Sequence, residues 1–142
     1  VRLSLPLSVV LLVLAAASAA PAAPPIRTTA RDPVFSPDGR TIAFARWSTA
    51  PAIMLVGVDG RRRRALVPNV FATDVAWSPD GSSLVYAAGG EIWRADVATG
   101  ATQRLTQGAA GADLSWQPSW SPDGKLIAWD ASSAASAAQV SG

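Results

Sequence analysis

Phe35-Ser36-Pro37-Asp38-Gly39 is followed by Trp77-Ser78-Pro79-Asp80-Gly81 and then by Trp120-Ser121-Pro122-Asp123-Gly124. The same phrase returns after 42 residues and again after 43. Each copy carries the residues of a type I turn. Serine at the first corner can bond the backbone beyond it, proline presets the dihedral at the second, aspartate suits the third, and glycine closes the turn.

Beyond each turn lies an aliphatic–small–aromatic run: Ile42-Ala43-Phe44, Leu84-Val85-Tyr86 and Ile127-Ala128-Trp129. The outer two residues of each run are two apart, so in a strand they share a face. Columns of this kind are buried when sheets stack, at roughly 1.5–3 kcal/mol per large side chain. A period in the low forties, with four short strands in each unit, predicts an all-β chain of four-stranded antiparallel β-propeller blades.

The repeats divide the chain. Repeat one covers 33–74, repeat two 75–117 and a partial repeat three 118–130. In the first, Pro33 to Pro37 and Thr41 to Trp47 form a hairpin, Ala52 to Asp59 a third strand, and Arg61 to Val67 a fourth after the Asp59-Gly60 turn. In the second, the strands are Val75 to Pro79, Ser83 to Ala88, Glu91 to Val97 and Thr102 to Thr106. The third keeps only Ser119 to Pro122 and Leu126 to Trp129. An Ala/Ser-rich tail over 131–142 is expected to lack the outer two strands.

Ahead of the repeats, residues 1–19 read as a secretory signal peptide. Arg2 gives a positive start, Leu5 to Ala17 is mostly apolar, and Ala17-Ser18-Ala19 is a small-x-small cleavage site. An uncleaved membrane anchor is the alternative, since the run is near the lower length of a span. Residues 20–32 form an Ala/Pro-rich linker. Its end, Ile26-Arg27-Thr28-Thr29, resembles Gln103-Arg104-Leu105-Thr106 and is either a strand closing a ring or plain linker.

The 142 residues include no Cys and no His. A disulfide framework, a thiolate nucleophile, a Ser-His-Asp triad and the usual zinc sites are thereby excluded within this stretch. Twelve basic against ten acidic residues leave a net charge of +2. The pI of about 9.9 follows from the lack of groups titrating near neutrality. It is no electrostatic footprint for nucleic acid.

With these motifs the chain resembles the TolB-type propeller repeat, a relative of the tryptophan–aspartate-repeat propellers, over about residues 33 to 130. The resemblance implies an extracytoplasmic protein: periplasm, cell envelope or secreted. It implies a rigid surface for a protein or peptide partner at one end of the ring, no cofactor and no catalysis. Propellers of this kind also cap serine peptidases of the prolyl oligopeptidase type. The chain is then alternatively the propeller part of such an enzyme, whose catalytic domain would carry a Gly-x-Ser-x-Gly elbow and a histidine.

Asp38, Asp80 and Asp123 invite a metal or acid–base reading. As equivalent residues of successive blades they should lie apart, and their expected role is to form turns. Arg61-Arg62-Arg63-Arg64 invites an anion site. Alternate residues of a strand face opposite ways, so the run is expected to guard an exposed sheet edge. No ligand-binding residues are identified beyond the repeat motif. Contact with the membrane is expected only through the N-terminal segment, if uncleaved. An open stack of blades would also expose an apolar face and a bare edge through which copies could associate.

Overall fold

A hydrophobic pattern of period two, broken every five to seven residues by Gly, Pro, Asp and Ser, leaves the chain no structure except short antiparallel strands. A computed structural model describes residues 29–107 and 115–131 and the backbone of 136–139. Every regular element among them is a strand. The signal-peptide reading of 1–19 and residues 20–28 of the linker lie outside the described residues.

The first sheet holds β1 (Thr29–Phe35), β2 (Thr41–Trp47), β3 (Ala52–Gly57) and β4 (Arg64–Pro68) in that order. The second repeats the plan with β5 (Thr73–Trp77), β6 (Ser83–Ala88), β7 (Glu91–Asp96) and β8 (Thr102–Arg104). The third contains β9 (Ser115–Trp120), β10 (Leu126–Ala131) and β11 (Ser136–Gln139), with β10 in the middle. These are two complete four-stranded blades and three strands of another, all paired antiparallel.

Several expected boundaries move. Thr29 to Asp32, assigned to the linker, belong to β1, because β2 extends to Trp47 and offers Thr29, Ala30 and Arg31 partners at Trp47, Arg46 and Ala45. Thr29 thus belongs to the first blade, and the remainder of the possible closing strand, residues 26–28, lies outside the described residues. The fourth strand of that blade starts at Arg64 instead of Arg61. Asp59-Gly60 is not a two-residue hairpin turn; the wider loop is closed by Gly57 N–H to the Arg61 carbonyl and by Arg61 N–H to Asp59 Oδ1, at 2.8 and 2.9 Å. The tail expected over 131–142 contains β11, paired with β10 from Leu126↔Gln139 to Trp129↔Ser136. Backbone pairing to the edge of β10 needs no apolar side chain, so an Ala/Ser tract can supply a strand without signalling one.

The core lies between the blades. Ala43, Ala45, Ile53, Leu55 and Leu66 of the first sheet meet Leu84, Tyr86 and Ala95 of the second, with Trp77 and Trp93 packed beside them. The aliphatic–small–aromatic run explains the arrangement. In the second blade the outer residues Leu84 and Tyr86 point to the first blade, while the small residue Ala43 of the first blade faces back. Small against large lets sheets approach and interdigitate. Trp77 adds a polar tie between blades, its Nε1–H donating to the Val34 carbonyl at 3.3 Å.

Candidate functional site

The three Ser-Pro-Asp-Gly turns are superimposable in chemistry. Each glycine, fourth in its turn, donates its N–H to the carbonyl of the serine three residues before it: Gly39 to Ser36, Gly81 to Ser78 and Gly124 to Ser121, at 2.8–2.9 Å. The glycines have φ of +68°, +73° and +72°, which favours glycine over any residue with a Cβ. Each serine Oγ donates to the turn aspartate, at 2.6 Å in Ser36–Asp38 and Ser78–Asp80 and 2.7 Å in Ser121–Asp123. The same Oγ accepts a backbone N–H from Thr41, Ser83 or Leu126, at 2.9 Å each time. Each aspartate also accepts the N–H two residues on, from Arg40, Ser82 or Lys125.

Hydrogen bonding explains the acidity of these carboxyls. The Ser78 hydroxyl, then Ser82 through its N–H and its own hydroxyl, draws Asp80 down to about 2. Asp38 and Asp123 are lowered for the same reason, first by Ser36 and first by Ser121. Their oxygens are engaged within their own turns, and no metal-ligating group of three or more occurs among the described residues. The aspartates act as turn formers.

Two concave regions lie at opposite ends of the blades. At the turn end, a cleft of about 610 Å³ separates the first and second blades; Pro37, Leu55, Trp77, Pro79 and Val97 give it apolar walls, and Arg62 and Arg64 reach its border. The arginine run is mostly loop, and its side chains part: Arg62 and Arg64 border the cleft, while the Arg63 guanidinium lies 5.8 Å from the centre of the Phe44 ring. Only Arg64 lies in β4, and Arg61 to Arg63 belong to the loop before it, Arg62 with φ of +55°. An edge-guarding role remains for Arg64 alone.

At the other end, Trp47, Phe71 and Trp116 surround an open cleft of about 270 Å³ whose floor includes Gly89 and Gly90. The Gly89-Gly90 turn joins β6 to β7 with both φ positive, matching the twist of the strands it links. Trp47 is fixed on three sides. Its Nε1–H donates to the Ala72 carbonyl at 2.8 Å, Phe71 meets its ring edge-on with centroids 5.5 Å apart, and the Arg31 guanidinium lies 4.5 Å from the ring centre. Phe71 is 57% exposed. The repeat motif does not include these aromatics. Trp47 and Trp116 stand at strand ends and Phe71 in a connection, places where a lone aromatic in a sequence carries no periodic signal.

No protein-family model matches the chain. It is 35% identical over 74 residues to the dipeptidyl-peptidase 5 of Porphyromonas endodontalis, covering 44% of this chain and 10% of that protein. It is 37% identical over 98 residues to tricorn protease homolog 2 of Streptomyces coelicolor, covering 65% of this chain and 8% of that one. Among solved structures, a TolB protein from Agrobacterium tumefaciens superimposes with a TM-score of 0.63 and 31% identity, over 71% of this chain and 38% of the other. The chain spans about a tenth of the curated relatives it matches. The fold is that of TolB-type propeller blades, as the repeats predict, and no helix among the described residues is long and apolar enough to cross a membrane.

Proposed function

We propose that the chain is an exported, non-catalytic propeller module that holds a protein or peptide partner at the aromatic end of its blades. The observation that carries this reading is the preformed cleft of Trp47, Phe71 and Trp116 over a glycine floor. Rigid aromatic side chains in a concave site supply large contact area at small entropic cost, and a glycine floor lets a peptide backbone come close. Export rests on the apolar N-terminal run and its Ala17-Ser18-Ala19 site.

The test is a peptide-array screen with the full chain, followed by titration of the best binder. Phe71→Ser is expected to weaken that peptide by about tenfold while lowering the melting temperature by only a few degrees, because Phe71 is mostly exposed and meets Trp47 edge-on. Equal affinity in Phe71→Ser and Trp116→Ser would reject the aromatic cleft as the binding site.

A second reading is favoured by the names of the curated relatives, both peptidases matched over a small part of their length. In it, the blades are the propeller of a serine peptidase and gate access to a catalytic domain encoded elsewhere in the same gene. Sequencing the native reading frame downstream decides. A Gly-x-Ser-x-Gly elbow with a later histidine supports the peptidase, and a stop codon without them removes it.

A further inference from the structure

We propose that the cleft between the first two blades at the Ser-Pro-Asp-Gly end is a second binding site, one that takes an acidic residue flanked by apolar ones in a peptide, with Arg62 and Arg64 holding the carboxylate. It lies at the opposite end from the aromatic cleft and does not depend on it.

Three observations lead there. First, Arg62 of the β3–β4 loop and Arg64 at the start of β4 border the cleft, both exposed, and among the described residues the one salt bridge is Lys125 with Asp123. Guanidinium groups are always charged and present paired donors matched to a carboxylate. Second, the cationic edge is preorganised across the blade junction. Arg64 donates from Nη2 to the Val97 carbonyl of the second blade at 2.6 Å, which holds its head at the mouth of the cleft. Third, the cleft itself is of peptide size, about 610 Å³, and its walls between the charges are apolar: Leu55, Trp77, Pro79 and Val97.

The choice of an acidic peptide over a polyanion follows from what else stands at the rim. Asp38 and Asp80 border the same cleft. Their turn hydrogen bonds keep both ionised. A polyphosphate or nucleic acid carries a charge at every repeat and would set some of them against these carboxylates. A peptide with a single carboxylate between leucines puts charge only where the arginines are. The corresponding space between the second and third blades is smaller, about 250 Å³, and is bordered by Arg94 and the indole of Trp120. That space is bordered by a single arginine, Arg94, so the arginine pair belongs to the first junction.

The experiment titrates the full chain with a fluorescein-labelled peptide containing Leu-Glu-Leu, with its Leu-Gln-Leu counterpart, and with polyphosphate. The glutamate peptide is expected to bind at least about tenfold more tightly than the glutamine one, with affinity falling as salt rises. Arg62→Gln should weaken it by about fivefold or more without shifting the melting temperature, since that side chain makes no hydrogen bond among the described residues. Phe71→Ser should leave it unchanged. Equal binding of the two peptides, indifference to Arg62→Gln, or binding of polyphosphate alone would each overturn the proposal.

Discussion

Asp32 Oδ2 accepts the backbone N–H of Asp74 at 3.0 Å, joining two residues that hold the same place in successive repeats. Both have left-handed backbones, φ of +51° and +54°, and the third repeat places Gln117 there with φ of +52°. Each sits in a β-bulge of the first strand of its blade, between Arg31 and Val34, between Thr73 and Ala76, and opposite the step from Ala128 to Asp130. The bulge turns the strand and exposes an N–H that the preceding blade can meet. Aspartate tolerates this conformation better than most residues.

Asp32→Asn keeps an acceptor and the left-handed preference, and is expected to change stability little. Asp32→Val loses the bond to Asp74 and places a β-branched residue at positive φ. About 2–3 kcal/mol of destabilisation is expected. Urea unfolding of both variants checks this. Equal midpoints would show that the bond between blades contributes nothing.

Acid should loosen the blades within a defined window. The folded chain holds Asp80 at about 2, and Asp38, Asp96 and Asp123 below the ordinary 3.8. Groups lowered on folding stabilise above their unfolded pKa, and that contribution is lost as pH falls through the folded value. The melting temperature should be level above about pH 5 and decline between about pH 4 and pH 2. In Asp80→Asn the decline should be shallower and the plateau lower. A decline of the same steepness in wild type and variant would remove Asp80 from the account.

The turn motif made the blade plan legible, because turn residues and strand period agree in every copy. Ser83 to Ala88 lies where the pattern puts it, since Gly81 and Gly89-Gly90 bracket it. Two features were not legible, for different reasons. The strand Ser136–Gln139 forms by backbone pairing and leaves no apolar alternation. The bulge column has Asp, Asp and Gln three residues before each repeat aromatic, and a bulge answers to backbone conformation more than to side-chain type. The site fared less well. Arg61 to Arg63 lie in a wider loop anchored by Gly57 and Asp59, and the run still does not form one patch: Arg62 and Arg64 reach the cleft, while Arg63 lies over the Phe44 ring.

Trp77 and Trp120 occupy one repeat position with different bonding. Trp77 donates to Val34, whereas the buried Trp120 Nε1 has no hydrogen-bond partner among the described residues. Replacing either by Phe removes similar volume, so the difference between the two reports the donor. Trp77→Phe is expected to cost about 0.5–1.5 kcal/mol more than Trp120→Phe, because removing an unsatisfied buried donor offsets the lost area. Thermal unfolding of the pair provides the measure, and a larger cost at Trp120 would contradict the bonding described.

Gly39 and Gly100 both have positive φ, +68° and +76°, yet they face different surroundings. A Cβ on Gly39 meets nothing within 4 Å, so Gly39→Ala carries only the conformational penalty, about 1–2 kcal/mol. A Cβ on Gly100 would come within 2.8 Å of the Leu66 carbonyl oxygen, a backbone atom of the preceding blade that cannot swing aside as a flexible side chain would. Leu66 itself is buried in the interblade core, so relief requires the two sheets to separate. Overpacking of this kind adds about 1–3 kcal/mol to the conformational term. Gly100→Ala should therefore be the more damaging by that margin, and its unfolding slope in urea should fall if the blades part in the native state. Equal stability of the two variants would mean that the contact between Gly100 and Leu66 is loose enough to absorb a methyl group.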